Sequence, residues 1–120
     1  MKCFSEDHQW AEVNGEIAAI GLSRYAAEEI GEVNFVELPQ VGMQVKAGEP
    51  LCVIESMKAA ADVLAPLTGT VEAVNERLAS EPALLNSAPE GDGWLCRIRL
   101  SSPEELKSLM SEEEYLRRMK

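Results

Sequence analysis

The sequence predicts a mainly β fold with one short helix in its N-terminal half and helices at its C-terminus. Three observations carry that expectation. Short apolar segments recur between frequent Gly and Pro turns from Val33 to Val74. Trp94-Leu95-Cys96-Arg97-Ile98-Arg99-Leu100 alternates apolar and basic residues, as a strand with one buried face does. Beyond Ser102 the pattern changes to helical capping signals and apolar stripes.

Taken in order, Gly15 to Leu22 is a short apolar run after an Asn14-Gly15 turn signal and predicts a half-buried strand. Ser23 then suits a helix N-cap. Arg24 to Ile30 carries Tyr25, Ala26 and Ile30 at helical spacing, and Gly31 stands where helices commonly end. Strand segments follow at Val33–Leu38, Val41–Val45, Leu51–Glu55, Ala61–Leu64 and Thr70–Val74, separated by turns at Pro39, Lys46–Pro50, Pro66 and Thr68–Gly69. Asn75 to Gly93 is rich in Ser, Pro, Asn and Gly and predicts short helical turns and loop. Ser102-Pro103-Glu104-Glu105 and Ser111-Glu112-Glu113-Glu114 each place a cap ahead of an apolar stripe, predicting two short helices, the second ending in Arg117, Arg118 and Lys120.

Composition narrows function. A chain of 120 residues with 46% hydrophobic residues is sized for one unit, 1–120, that buries its own core. Its 11 basic against 21 acidic side chains give a formal charge of −10, which repels nucleic-acid phosphates and anionic membranes. Cys3, Cys52 and Cys96 are odd in number and widely spaced, so they read as reduced thiols of a cytoplasmic protein, and no metal site is expected. No window approaches a membrane span, and the N-terminus has no hydrophobic or Arg-rich leader. His8 is the single histidine, which leaves no histidine-based nucleophile triad or multi-histidine metal site to build.

The chemistry concentrates around Lys58. Pro50 and Pro66 are equidistant from it, and each outer flank carries a glycine turn, Gly48 and Gly69, leading to another strand. If Leu51–Glu55 and Ala61–Leu64 pair as the arms of a hairpin, the bend holds Ser56, Met57, Lys58 and Ala59 and displays the lysine at its tip. A displayed amine with no catalytic neighbours suits a lysine that another enzyme acylates. Glu55 and Asp62, three before and four after it, are then recognition or steadying charges. Against this stands the plain alternative of a solubilising turn lysine, and an enzyme using Lys58 as a Schiff base, for which no enclosing pocket is visible. Gly42 and Gly69 read first as turn requirements that also place the hairpin for the modifying enzyme. Cys52, Cys96, Trp10 and Trp94 read as packing residues or cleft walls.

Glu55-Ser56-Met57-Lys58-Ala59-Ala60-Ala61-Asp62-Val63, followed by Ala65-Pro66-Leu67-Thr68-Gly69-Thr70-Val71, resembles the lipoyl-attachment segment of the H protein family of the glycine cleavage system. His8-Gln9-Trp10, Ile20-Gly21-Leu22-Ser23, Gly31-Glu32-Val33, Phe35-Val36-Glu37-Leu38-Pro39, Pro82-Ala83-Leu84-Leu85-Asn86-Ser87 and Gly93-Trp94-Leu95 are similar to that family's successive signatures, over nearly the whole chain. The resemblance implies a barrel-sandwich hybrid, the fold of lipoyl and biotinyl carriers, with two small antiparallel sheets. Its lipoyl hairpin core would span about 33–75 and its C-terminal helices about 102–120. It implies lipoate in amide linkage on Lys58, on a carrier that catalyses nothing itself. Its implied partners are the pyridoxal-phosphate glycine decarboxylase (P protein), the tetrahydrofolate-dependent aminomethyltransferase (T protein), dihydrolipoamide dehydrogenase (L protein), and a lipoate-protein ligase or lipoyl/octanoyl transferase. The lipoyl disulfide would accept glycine's aminomethyl group at the first enzyme and surrender it at the second. His8, Gln9 and Glu29 fall at a cleft for the loaded arm. Two of them depart from the family pattern: Gln9 stands where glutamate is usual, and Glu29 where some members carry histidine. Met57 replaces the more usual valine, as in biotin carriers, but Ala59 breaks their Met-Lys-Met pattern and ranks biotin second. An H-like scaffold that relays lipoate to other lipoyl domains has the same attachment requirements and stays open.

Overall fold

The structure, a computed structural model, describes residues 2–119; Lys120, assigned above to the basic last turn, lies outside them. Among the described residues, ten strands form two sheets. β1 (Lys2–Phe4), β2 (Gln9–Asn14), β3 (Ile17–Leu22), β5 (Gln44–Val45), β8 (Gly69–Val74), β9 (Cys96–Leu100) and β10 (Met110–Ser111) make a seven-stranded antiparallel sheet in the order β10-β1-β2-β3-β9-β8-β5. β4 (Val33–Glu37), β6 (Pro50–Ser56) and β7 (Ala60–Leu64) make a three-stranded one with β6 at its centre. α1 (Arg24–Ile30), α2 (Arg77–Ser80), α3 (Leu84–Ser87) and α4 (Glu112–Arg118) are short, and a 3-10 helix spans Pro103–Ser108.

This is the expected mainly β architecture, with one correction of proportion: the two sheets are unequal, because the N-terminal strands and β10 all add to one of them. β1 and β2 are additional to the strands the sequence predicts. Apolar and polar residues do not alternate cleanly in them, since Gln9, Trp10 and Ala11 are buried in succession. The Asn14-Gly15 signal does close a hairpin: Asn14 pairs with Ile17, and Gly15 takes φ +68°.

Each regular element has a local cause. β9 buries Cys96, Ile98 and Leu100 and exposes Arg97 and Arg99, matching its alternation. Ser23 caps α1 by accepting a hydrogen bond from the Ala26 N–H, and Ser111 caps α4 through the Glu114 N–H. The segment after Ser102 differs from expectation. It forms the 3-10 turns, Ser102 makes no side-chain cap, and β10 intervenes before α4. Glu105 is instead engaged outward, its two oxygens accepting from the Thr68 N–H and hydroxyl at 2.7 Å each. A carboxylate spent on a distant backbone group is lost to local capping.

Gly69 is also corrected. It is no turn residue but lies inside β8, where a methyl group would stand 2.2 Å from the Arg99 carbonyl oxygen and 2.4 Å from Ile98 Cγ2. Close approach of two backbones requires glycine here. Gly42, by contrast, is a turn glycine at φ +94°.

The core has three parts. Ile20, Leu67, Val71 and Ile98 pack on the inner face of the large sheet. Ile54 and Val63 of the small sheet pack with Leu78, Leu85 and Leu95, against which Ala26 and Ile30 of α1 also lean. Phe4, Trp10, Met110 and Tyr115 bind α4 to β1 and β2. The hairpin arms β6 and β7 are thus anchored at their base by core residues, and only the tip projects.

Candidate functional site

Antiparallel pairing of β6 with β7 runs from Cys52↔Val63 through Ile54↔Ala61 to Glu55↔Ala60. The Ser56 N–H donates to the Ala59 carbonyl at 2.8 Å, so Met57 and Lys58 are the two residues at the very tip. The centre of symmetry therefore falls between Met57 and Lys58 rather than on the lysine itself. Ser56 organises the bend: its hydroxyl accepts from the Lys58 and Ala59 N–H groups at 3.2 Å each and lies 3.2 Å from the Ala59 carbonyl oxygen. Lys58 is exposed, and Met57 beside it is 72% exposed, a large apolar side chain left at the end of a hairpin.

The lysine does not wave freely. Its Nζ donates to the Glu29 carbonyl at 3.2 Å, in the last turn of α1, where the carbonyls carry the helix's partial negative charge. Its stem passes over Gly31, at φ +83°, where a methyl group would stand 2.9 Å from Lys58 Cε. The Met57 N–H donates to the Glu32 carbonyl at 3.2 Å. The tip is thus seated on the segment joining α1 to β4.

Beside it lies a cleft of about 510 Å³ between α1, the edge strand β7 and the Asp7–Gln9 segment. Its apolar lining includes Leu22, Ala26, Ile30, Ile54 and Val63, and its polar lining Asp7, His8, Gln9, Glu29 and Asp62. The three residues assigned to an arm cleft from the sequence are therefore brought together, and Ala59 and Asp62 of the hairpin border the same space. Glu55 is exposed on the hairpin and does not line it. Gly42 and Gly69 lie apart, on the β5–β8 side of the large sheet, where the Gly42 N–H donates to the Val71 carbonyl and Gly69 pairs with Val45.

His8 holds a left-handed backbone, φ +67°, in a turn closed by its own N–H to the Ser5 carbonyl at 3.1 Å. That turn sets its ring 4.7 Å from Tyr25 and its Nδ1 2.7 Å from the Tyr115 hydroxyl. Tyr115 donates onward to Ser23 Oγ at 2.8 Å. Burial pushes the Tyr115 hydroxyl's pKa above its usual value of 10.0. No local sequence signal marks this link, because Tyr115 stands far along the chain in a helix whose stripe accounts for it as packing. Gln9 is 4% exposed; the Ser5 hydroxyl donates to its Oε1, which leaves the amide N–H groups as what it offers the cleft. The cleft's carboxylates are Asp7, Glu29 and Asp62.

The cysteines are all buried and free. Burial raises the Cys96 thiol to about 12 and Cys52 further, so neither supplies a thiolate. Among the described residues no group of three or more His, Cys, Asp or Glu is placed to hold a metal ion, and no helix is long and apolar enough to cross a membrane.

The sequence pattern of the glycine cleavage H-protein family matches residues 2–120. The chain belongs to this family. It is 47% identical over 112 residues to the glycine cleavage system H protein of Phenylobacterium zucineum, covering 93% of each chain. To that of Thermotoga maritima it is 45% identical over 115 residues, covering 96% of this chain and 93% of the relative. Its structure superposes on the crystal structure of a glycine cleavage system H protein from Mycobacterium marinum with a TM-score of 0.89 at 30% identity, covering 98% and 95%. That likeness extends to the barrel-sandwich fold.

The space beside Lys58 suits a lipoyl group. An acyl chain and its five-membered disulfide ring are apolar and need a lining such as Leu22, Ile30 and Val63 supply. The Lys58 amine is exposed and hydrogen-bonded to Glu29, one of the residues lining that space.

Proposed function

We propose that this chain is a cytoplasmic lipoyl carrier of the glycine cleavage system, one unit from end to end, with lipoate in amide linkage to Lys58. The observation that supports it most is Lys58 at the tip of a tight hairpin, exposed and hydrogen-bonded to Glu29, which with the adjacent Ala59 lines an apolar cleft, in a member of this family. When bound, the lipoyl group supplies the disulfide that accepts the aminomethyl group of glycine.

The protein's own residues present and shelter. Pairing of β6 with β7 and the Ser56 hydroxyl fix the tip, so that a ligase or transferase meets one backbone geometry. Leu22, Ile30 and Val63 provide a seat that excludes water, and Asp7, Glu29 and Asp62 set negative charge around it, matched to an ammonium cargo. Glu55 and Asp62 flank the hairpin for recognition by the modifying enzyme. The partners are the P, T and L proteins, which a tethered arm serves in turn at high effective concentration. The carrier contributes presentation; the bond-making groups belong to its partners.

Intact-mass measurement after incubation with lipoate-protein ligase, lipoate and ATP tests the attachment. The parent should gain one lipoyl group and Lys58→Arg none; a modified Lys58→Arg chain overturns it. Glycine–bicarbonate exchange by the P protein tests the role, since lipoylated parent must stimulate it, and failure to do so favours a lipoate relay.

A further inference from the structure

Asn86 stands in α3, in a stretch the sequence singled out and which no part of the carrier cycle above uses. Its half-buried side chain makes two hydrogen bonds to the segment beneath the hairpin tip: Nδ2 donates to the Gly31 carbonyl at 2.7 Å, and Oδ1 accepts from the Val33 N–H at 2.9 Å. One planar amide therefore grips both neighbours of Glu32, as a strand partner would. Each bond partner of the tip outside the hairpin itself belongs to that gripped segment or the turn before it. The Glu32 carbonyl receives the Met57 N–H, the Glu29 carbonyl receives Lys58 Nζ, and Gly31 leaves room for the lysine stem.

We infer that Asn86 is a positioning residue for the modification of Lys58: by bracing residues 31–33 it fixes the seat from which the lysine is presented to the acylating enzyme. Both of these hydrogen bonds go to backbone groups, and Asn86 is not among the residues lining the arm cleft. α3 itself is only four residues long, without a side-chain cap, and is held by Leu84 and Leu85 at the core and by this amide. The inference relies on Lys58 being the attachment point.

The test uses the full-length protein and two variants, Asn86→Ala, which removes both bonds, and Asn86→Asp, which keeps the acceptor toward Val33 but loses the donor toward Gly31. The first readout is lipoylation by lipoate-protein ligase. Both variants should lose about fivefold in kcat/KM, through KM, because the ligase must then order a loosened seat. The second is competitive labelling by trace acetic anhydride, with the exposed Lys46 and Lys107 as internal references. Lys58 should label about twofold faster relative to both as its hold on the Glu29 carbonyl weakens. Unchanged kinetics and an unchanged labelling ratio overturn the inference, as does faster labelling of all three lysines together, which reports general loosening. If the parent accepts no lipoyl group, the attachment reading fails by itself, and the labelling ratio still decides whether Asn86 holds the seat.

Discussion

Removing a single oxygen from Tyr115 tests how α4 is tied to the cleft. The hydroxyl lies 2.7 Å from His8 Nδ1 and donates to Ser23 Oγ at 2.8 Å, while the ring stacks on Phe4 at 4.4 Å between centroids and 11° between planes. Tyr115→Phe keeps the ring, its burial and its stacking, so no cavity opens and only the two hydrogen bonds are lost. At about 1 kcal/mol each, and with Ser23 Oγ still accepting from the Ala26 N–H, the cost should be about 1–2 kcal/mol. Tyr115→Ala, which also loses the stacked ring, should cost about 3–5 kcal/mol. Urea unfolding followed by the fluorescence of Trp10 and Trp94 measures both. Tyr115→Phe should lower the midpoint without changing the slope, because the surface exposed on unfolding is the same. A parallel readout is the His8 imidazole: freed from its hydroxyl partner, its ring nitrogens should shift in nitrogen NMR although the substitution is in another element. Stability within about 0.3 kcal/mol of the parent, with an unmoved His8 spectrum, would refute the idea that this hydroxyl joins the two.

Three further outcomes are expected. Ser56→Ala removes the hydroxyl that organises the bend; it should change stability by no more than about 1 kcal/mol yet slow lipoylation of Lys58, read by intact mass against time. Gly69→Ala drives a methyl group into the Arg99 carbonyl and should destabilise by about 1–3 kcal/mol or more in the same urea assay, leaving lipoylation of the folded fraction intact. The thiols set an alkaline limit. Cys52 and Cys96 titrate later in the folded chain than at their ordinary 9.0, so the unfolded chain loses its protons first and stability is complete below pH 9. It should then fall toward pH 12, by about 1.4 kcal/mol per pH unit for each thiol, and Cys52→Ala with Cys96→Ala should flatten that decline.

The hairpin was legible because its causes are local. Proline and glycine breaks, apolar runs of strand length and a central Ser-Met-Lys-Ala all lie within one window, so sequence spacing alone sets the register to within one residue. The same holds for α1, where Ser23 and Gly31 mark both ends. What stayed hidden has distant causes. β1 pairs with β10 across the whole chain, and neither is long or alternating enough to announce itself. Glu105 reads as a capping residue until Thr68 is seen to claim its carboxylate. Gly69 reads as a turn because proximity of Arg99 cannot be inferred from the residues beside it. At the site, His8, Gln9 and Glu29 came into view through family resemblance, whereas Asn86 and Tyr115 work through partners 53 and 92 residues away and carry no local mark.

That division has a physical consequence for the carrier. On the reading proposed above, the tip must be stiff enough for a ligase to recognise, while an arm carried on Lys58 must enter and leave the cleft. The structure separates the two demands. Stiffness at the tip comes from backbone hydrogen bonds and the Ser56 hydroxyl, none of which involves the Lys58 side chain. The lysine's own anchorage is one exposed hydrogen bond to the Glu29 carbonyl, a contact of small net worth in water. Acylation converts the ammonium into a neutral amide and removes the charge that the end of α1 attracts. Modification at Lys58, as proposed, would therefore weaken the lysine's hold on α1 while leaving the hairpin beneath it unchanged, so that the same backbone would present a bare amine to a ligase and a mobile arm to later partners.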